Sequence, residues 1–468
     1  LASLSETYDN FYGGAYEQTG DRIVPVGFIT KDVLFTVLLD ADGNFRGAVR
    51  NEKKTVRIPS SPDAAGRTGP PTPFPLYDEL RYMAGDLSEM IGLSFESYFE
   101  SYIAALLEWS QAEGAPSALG LLLGYLERKT LANDLRTAGH ITDKDLGSKS
   151  ALEFRIYDGS EHDYIGIADI PDVQKNWSKR LVDSMGNFGL CCASGEVTAI
   201  ADKHPKLFGN TKLISSKDAQ RVFQYRGRFT SSEDACMIGY ETSEKAHNTL
   251  RWLIGRQGCR KFSLNFVAWS KECYDVIQPD ADLEFLGIEP ETRIDTAEDY
   301  SKFISARLAG YQKKPAYEPV NHVILMGLEA ATPGRMSINY YEELGGREYL
   351  DRLGRWYENC FWRISWFDND KKRRTGVLTP SLEAIGNAVF GRDEMMSAKR
   401  DVRDEKSGTK QVRHFYLNML ACISGGRHAP VGYTMTAYHR VLNPQSFRNR
   451  NGSWQRTDWI DCMGVTLA

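Results

Sequence analysis

The chain has 468 residues, with 42% hydrophobic and 25% charged residues and a net charge of −5. That length can bury a substantial core and suits two or three folding units. The balance of charge excludes a protein that coats nucleic acid indiscriminately, although local positive patches would still serve a subunit held on nucleic acid by its partners. No apolar run approaches the roughly 20 residues that a membrane-spanning helix needs. Leu1 to Asn10 lacks the basic-then-apolar profile of a secretory signal, so a cytoplasmic protein is expected.

The first third reads as mixed α and β. Val33 to Leu39 is an apolar run, Asp40-Ala41-Asp42-Gly43-Asn44 a tight turn, and Phe45 to Val49 a returning strand. The turn resembles a calcium loop only superficially, because its Gly comes fourth instead of sixth. Ile58 to Pro75 is rich in Pro, Gly, Ser and Thr and reads as an irregular loop. Two helical segments follow, with Phe95, Tyr98, Phe99, Tyr102, Ile103 and Leu106 in one stripe and Leu119, Leu122, Leu123, Leu126 and Leu131 in the next. An aromatic stripe at this spacing reads as core, not as a base-stacking platform.

Leu152 to Ile156 and Phe262 to Trp269 read as strands, and Val323 to Leu328 with Arg335 to Tyr340 as a hairpin around Ala330-Ala331-Thr332-Pro333-Gly334. After Gly346 the period becomes helical, placing Leu350, Leu353, Tyr357, Cys360 and Ile364 on one face. Beyond Lys371-Lys372-Arg373-Arg374 the chain reads as wholly helical, still so from Trp459 to Ala468, where no stop signal is seen. The expected fold is therefore α+β. Residues 1–370 form a mixed region with β-hairpins and helices, and 371–468 begin an all-α C-terminal helical bundle that is cut short.

No catalytic constellation assembles. The eight cysteines contain no C-x-x-C pair, and no His lies three or four residues from another; Walker, His-Glu-x-x-His and Gly-x-Ser-x-Gly motifs are absent. The cysteines read as buried thiols in a reducing compartment. Asp158, Glu161 and His162, with Asp163 and Asp169, form the densest acidic and His cluster and could hold metal for a nuclease. A solvated turn suits their Gly and Ser neighbours better. No metal and no cofactor is expected.

Positive charge is concentrated from Asp202 to Arg228. Lys203, Lys206, Lys212, Lys217, Arg221, Arg226 and Arg228 face only Asp202 and Asp218, with Asn210, Ser216 and Gln224 interleaved. Cations and amides of this kind suit phosphate oxygens and base edges; a solvated lysine loop is the competing reading. Smaller patches are Lys53, Lys54 and Arg57, the loop residues Arg67 and Thr68, and the run Lys371, Lys372, Arg373 and Arg374. Lys399, Arg400, Arg403, Lys406, Lys410 and Arg413 are diluted by acids and read as a charged helix surface.

Several stretches together carry a resemblance: Pro73 to Gly85 (PFPLYDELRYMAG), Cys191 to Gly209 (CCASGEVTAIADKHPKLFG), Val323 to Tyr341 (VILMGLEAATPGRMSINYY) and Tyr349 to Trp362, with Leu1 to Tyr8 and Val33 to Asp40. Through them the chain resembles the large-subunit family of the subtype I-C CRISPR effector called Cascade over essentially its whole length. It departs in the extra prolines before Pro73 and in lacking an Asn after Asp78, and the family's helical bundle extends further than Ala468.

The resemblance implies a binding subunit instead of an enzyme. Such a subunit sits beside the guide crRNA and the backbone and small subunits. It reads the protospacer-adjacent motif (PAM) on double-stranded target DNA, helps open the strands and stabilise the R-loop, and offers a surface to the helicase-nuclease. On that basis Arg67, Thr68, Asn210, Lys212, Ser216, Lys217 and Gln224 are candidate PAM or groove contacts. Lys53, Lys54, Lys203, Lys206, Arg226, Arg228 and Lys371 to Arg374 are candidate phosphate contacts. The rival readings are a metal-dependent nuclease built on Asp158, Glu161 and His162, and a purely structural bridging subunit.

Overall fold

A computed structural model describes residues 1–11, 23–65, 67, 71–138, 146–157, 159, 164–214, 237–261, 264–272, 275–281, 294–332, 334–367, 372–400, 407–447 and 455–467. The chain divides into two compact units, Leu1–Pro205 with Ser216–Thr249 and Lys206–Ser215 with Leu250–Ala468. Among the described residues no helix is long and apolar enough to cross a membrane.

The first unit is built on the expected hairpin. Strands β1 (Phe28–Leu39) and β2 (Phe45–Pro59) pair antiparallel and run longer than the apolar pattern suggests. The Asp40 carboxylate organises the turn, accepting from Asn44 N at 2.8 Å and Asp42 N at 3.0 Å and pairing with Arg46 at 2.8 Å. β3 (Leu152–Tyr157) joins β1 in parallel and β4 (Tyr164–Gly166) pairs with β3, giving the order β2-β1-β3-β4. Alternate residues Phe35, Val37 and Leu39 are fully buried, as strand periodicity requires.

Helices supply the rest of this core. Leu4, Tyr8 and Phe11 form the buried stripe of α1 (Ala2–Phe11). In α2 (Glu96–Ser110), Phe99, Tyr102, Leu106 and Trp109 are buried, so the aromatic stripe is core as expected. α3 (Ser117–Leu126) and α4 (Leu131–Thr137) carry the leucine stripe. α5 (Pro171–Asp183) brings Trp177 to 4.9 Å from Trp109, ring to ring. A short ribbon, β5 (Phe188–Leu190) and β6 (Val197–Ala199), presents the Cys191–Glu196 turn. α6 (Tyr240–Gln257) begins in this unit and ends in the second.

The second unit carries a six-stranded sheet in the order β7-β8-β12-β11-β10-β9. Its strands are β7 (Lys206–Phe208), β8 (Thr211–Lys212), β9 (Cys259–Lys261), β10 (Leu264–Ser270), β11 (His322–Thr332) and β12 (Arg335–Gly345). Every residue of β10 is buried, the polar Asn265 and Ser270 included, so the strand shows no alternation of buried and exposed positions. α7 (Ala297–Tyr311) starts at the cap Thr296, whose hydroxyl accepts from Asp299 N. α8 (Gly346–Asn359) buries Tyr349, Leu350, Leu353 and Tyr357 as the period predicts.

Two sequence expectations fail just beyond α8. Ile364 does not extend its face, because the helix ends at Asn359 and Ile364 lies in β13 (Trp362–Phe367). Nor is the chain wholly helical after the basic run: Arg373–Leu378 forms β14, antiparallel to β13. Short segments rich in aromatic and branched residues fit either period, and here strand pairing prevails.

From Leu382 onward the described residues are helical, in α9 (Leu382–Phe390), α10 (Arg392–Arg400), α11 (Ser407–Gly425), α12 (Val431–Leu442) and α13 (Arg456–Leu467). They share one core with the sheet, in which Phe266, Leu325, Leu353, Phe415 and Leu420 are all buried. The change of composition near residue 370 thus falls inside the second unit. The architecture is mixed α+β.

Candidate nucleic-acid interface

The basic segment after Asp202 is shared between the units. In the first, Lys203 pairs with Asp63 at 2.6 Å with both side chains largely exposed, and His204 Nδ1 lies 2.8 Å from Ser243 Oγ. In the second, Phe208-Gly209-Asn210-Thr211 reverses the chain. Gly209 takes a positive φ of 55°, which glycine adopts at low cost, and the Thr211 hydroxyl donates to Phe208 O at 2.7 Å. The reversal sets Lys206 opposite Lys212 and leaves Asn210 exposed at the tip.

β8 then lies parallel to the start of β12, with Lys212 in register with Arg335 and Lys212 N donating to Gly334 O at 3.2 Å. Lys206, Lys212 and Arg335 therefore stand side by side on three successive strands. A row of cations in cross-strand register concentrates positive charge along one edge, which suits an approaching polyanion. A fourth cation joins it: the Arg260 guanidinium, from β9, lies 4.8 Å from the Phe208 ring centroid. Lys206, Arg260 and Arg335 are all exposed. Sequence reasoning found Lys206, Asn210 and Lys212 but missed Arg260 and Arg335. The place of Arg335 directly after the Pro333-Gly334 turn was the available clue.

Lys54, Arg57 and Arg67 are held by carboxylates of the first unit. Lys54 contacts the buried carboxylate of Glu153, which also accepts from Thr36 Oγ1 at 2.7 Å, and Arg57 pairs with Asp169. Lys53, next in line, is exposed. Arg67 makes a two-pronged contact with Asp78, both arms at 2.7 Å, and donates to Thr72 O at 3.0 Å. Its guanidinium is sandwiched 4.4 Å from the Phe74 ring and 4.5 Å from the Tyr82 ring. Burial opposes the Arg67 charge, but the hydrogen bonds it donates to Asp78, with the negative charge there, outweigh that and raise the pKa. Arg67 is thus an anchor at the base of its loop and not a free cation.

Lys372, just before β14, and Arg373 and Arg374 on it are exposed, and Arg373 also reaches Asp461. Thr68, Ser216, Lys217, Gln224, Arg226, Arg228 and Lys371 lie outside the described residues, as do Asp158, Glu161 and His162. Among the described residues no group of three or more His, Cys, Asp or Glu is placed to hold a metal ion.

The cysteine expectation needs correction: among the described residues Cys191, Cys259 and Cys462 are buried, but Cys360 and Cys422 are only partly buried and Cys192 is exposed. Burial pushes the Cys191 thiol up, yet hydrogen bonds from the Ser194 side chain and from the backbone at Gly239, Ser194 and Ala193 outweigh it and bring the thiol down to about 7.

The family model for CRISPR-associated protein (Cas_Csd1) matches residues 4–459. The chain belongs to the Csd1 family. The match covers nearly the whole chain and bears out the resemblance to the large subunit of a type I-C Cascade. As a Csd1 member the chain is a subunit of a CRISPR effector complex, with a place in defence against foreign nucleic acid. No curated protein matches it.

Proposed function

We propose that this Csd1 chain inspects double-stranded target DNA for the PAM, aids strand opening and R-loop stabilisation, and helps recruit the helicase-nuclease. It does so beside guide crRNA and the backbone and small subunits, in the cytoplasm, and without catalysis of its own. The observation that supports this reading is the lateral row Lys206–Lys212–Arg335 with Arg260 beside it. Base pairing with the guide supplies sequence specificity, so the protein needs only a compact cationic edge and a few polar groups.

In this reading Lys206, Lys212, Arg260 and Arg335 hold phosphates, and Asn210 at the exposed tip reaches into a groove. The test compares PAM-matched and PAM-mutated duplexes bound to the assembled complex. Lys206→Glu with Arg335→Glu should weaken both and flatten the salt dependence. Asn210→Ala should cost about 1–3 kcal/mol on the matched duplex alone. Unchanged binding in all these variants overturns the reading. So does metal-dependent DNA cleavage abolished by Asp158→Ala or His162→Ala, which would favour a nuclease.

A further inference from the structure

We draw no further inference here: the strongest candidate, the stripe of exposed Val431, Met435, Tyr438 and Leu442 at helical spacing along α12, is an apolar helix face, and nothing in the structure shows what covers it.

Discussion

The guanidinium of Arg260 rests 4.8 Å from the ring centroid of Phe208, although their strands β9 and β7 are the two ends of the sheet order. The sheet must curl for its margins to meet in this way, in keeping with the twist of extended strands. A cation over an aromatic face at an exposed site contributes about 0.5–1 kcal/mol. A double-mutant cycle with Arg260→Ala and Phe208→Ala, read by urea denaturation, should return a coupling of that size. A coupling of zero would mean that ring and cation are merely adjacent.

Asp78 is fully buried and held by the Arg67 fork, with Glu79 N at 2.7 Å, Phe74 N at 2.8 Å and Lys31 at 3.7 Å among its further partners. Arg67→Ala leaves that carboxylate poorly compensated and should destabilise the protein by about 3 kcal/mol. Arg67→Lys should lie between, because an ammonium cannot reproduce the two-pronged contact. The denaturation midpoint should fall with an unchanged slope.

Lys53 and Lys54 are neighbours with different assignments. Lys54→Ala strands the Glu153 carboxylate, 4% exposed, and should cost about 1–3 kcal/mol, whereas Lys53→Ala should stay within about 0.5 kcal/mol. Adding Glu153→Gln to Lys54→Ala should restore part of the loss. Equal effects of the two lysine substitutions would count against this division.

The Cys191 thiol, lowered to about 7, titrates below the roughly 8.5 of an unfolded chain. In that window the unfolded state binds more protons, so stability should climb as pH rises from about 7 to about 8.5 and be lost as pH falls through 7. Cys191→Ala should flatten this part of the profile. An identical profile in the variant would assign the slope to other groups.

The parts legible in the sequence are the local ones. The Asp40–Asn44 turn and the Val323–Tyr340 hairpin announce themselves through turn residues between apolar runs, and the buried stripe of α2 through its period. Partnerships across the chain were not legible. Arg67 and Lys54 look like free cations until the fold brings Asp78 and Glu153 against them. Lys212 and Arg335 are far apart in sequence and become neighbours only when β8 is laid beside β12. Trp362 to Phe367 could serve either period, and its identity as a strand is settled by the partner β14.

Because α13 sits against the bare peptide of β13 at Gly464, the ribbon is braced from behind. A single methyl at position 464 would meet the Arg363 carbonyl oxygen and push the helix off the strand, leaving the two-stranded ribbon to hold its own shape.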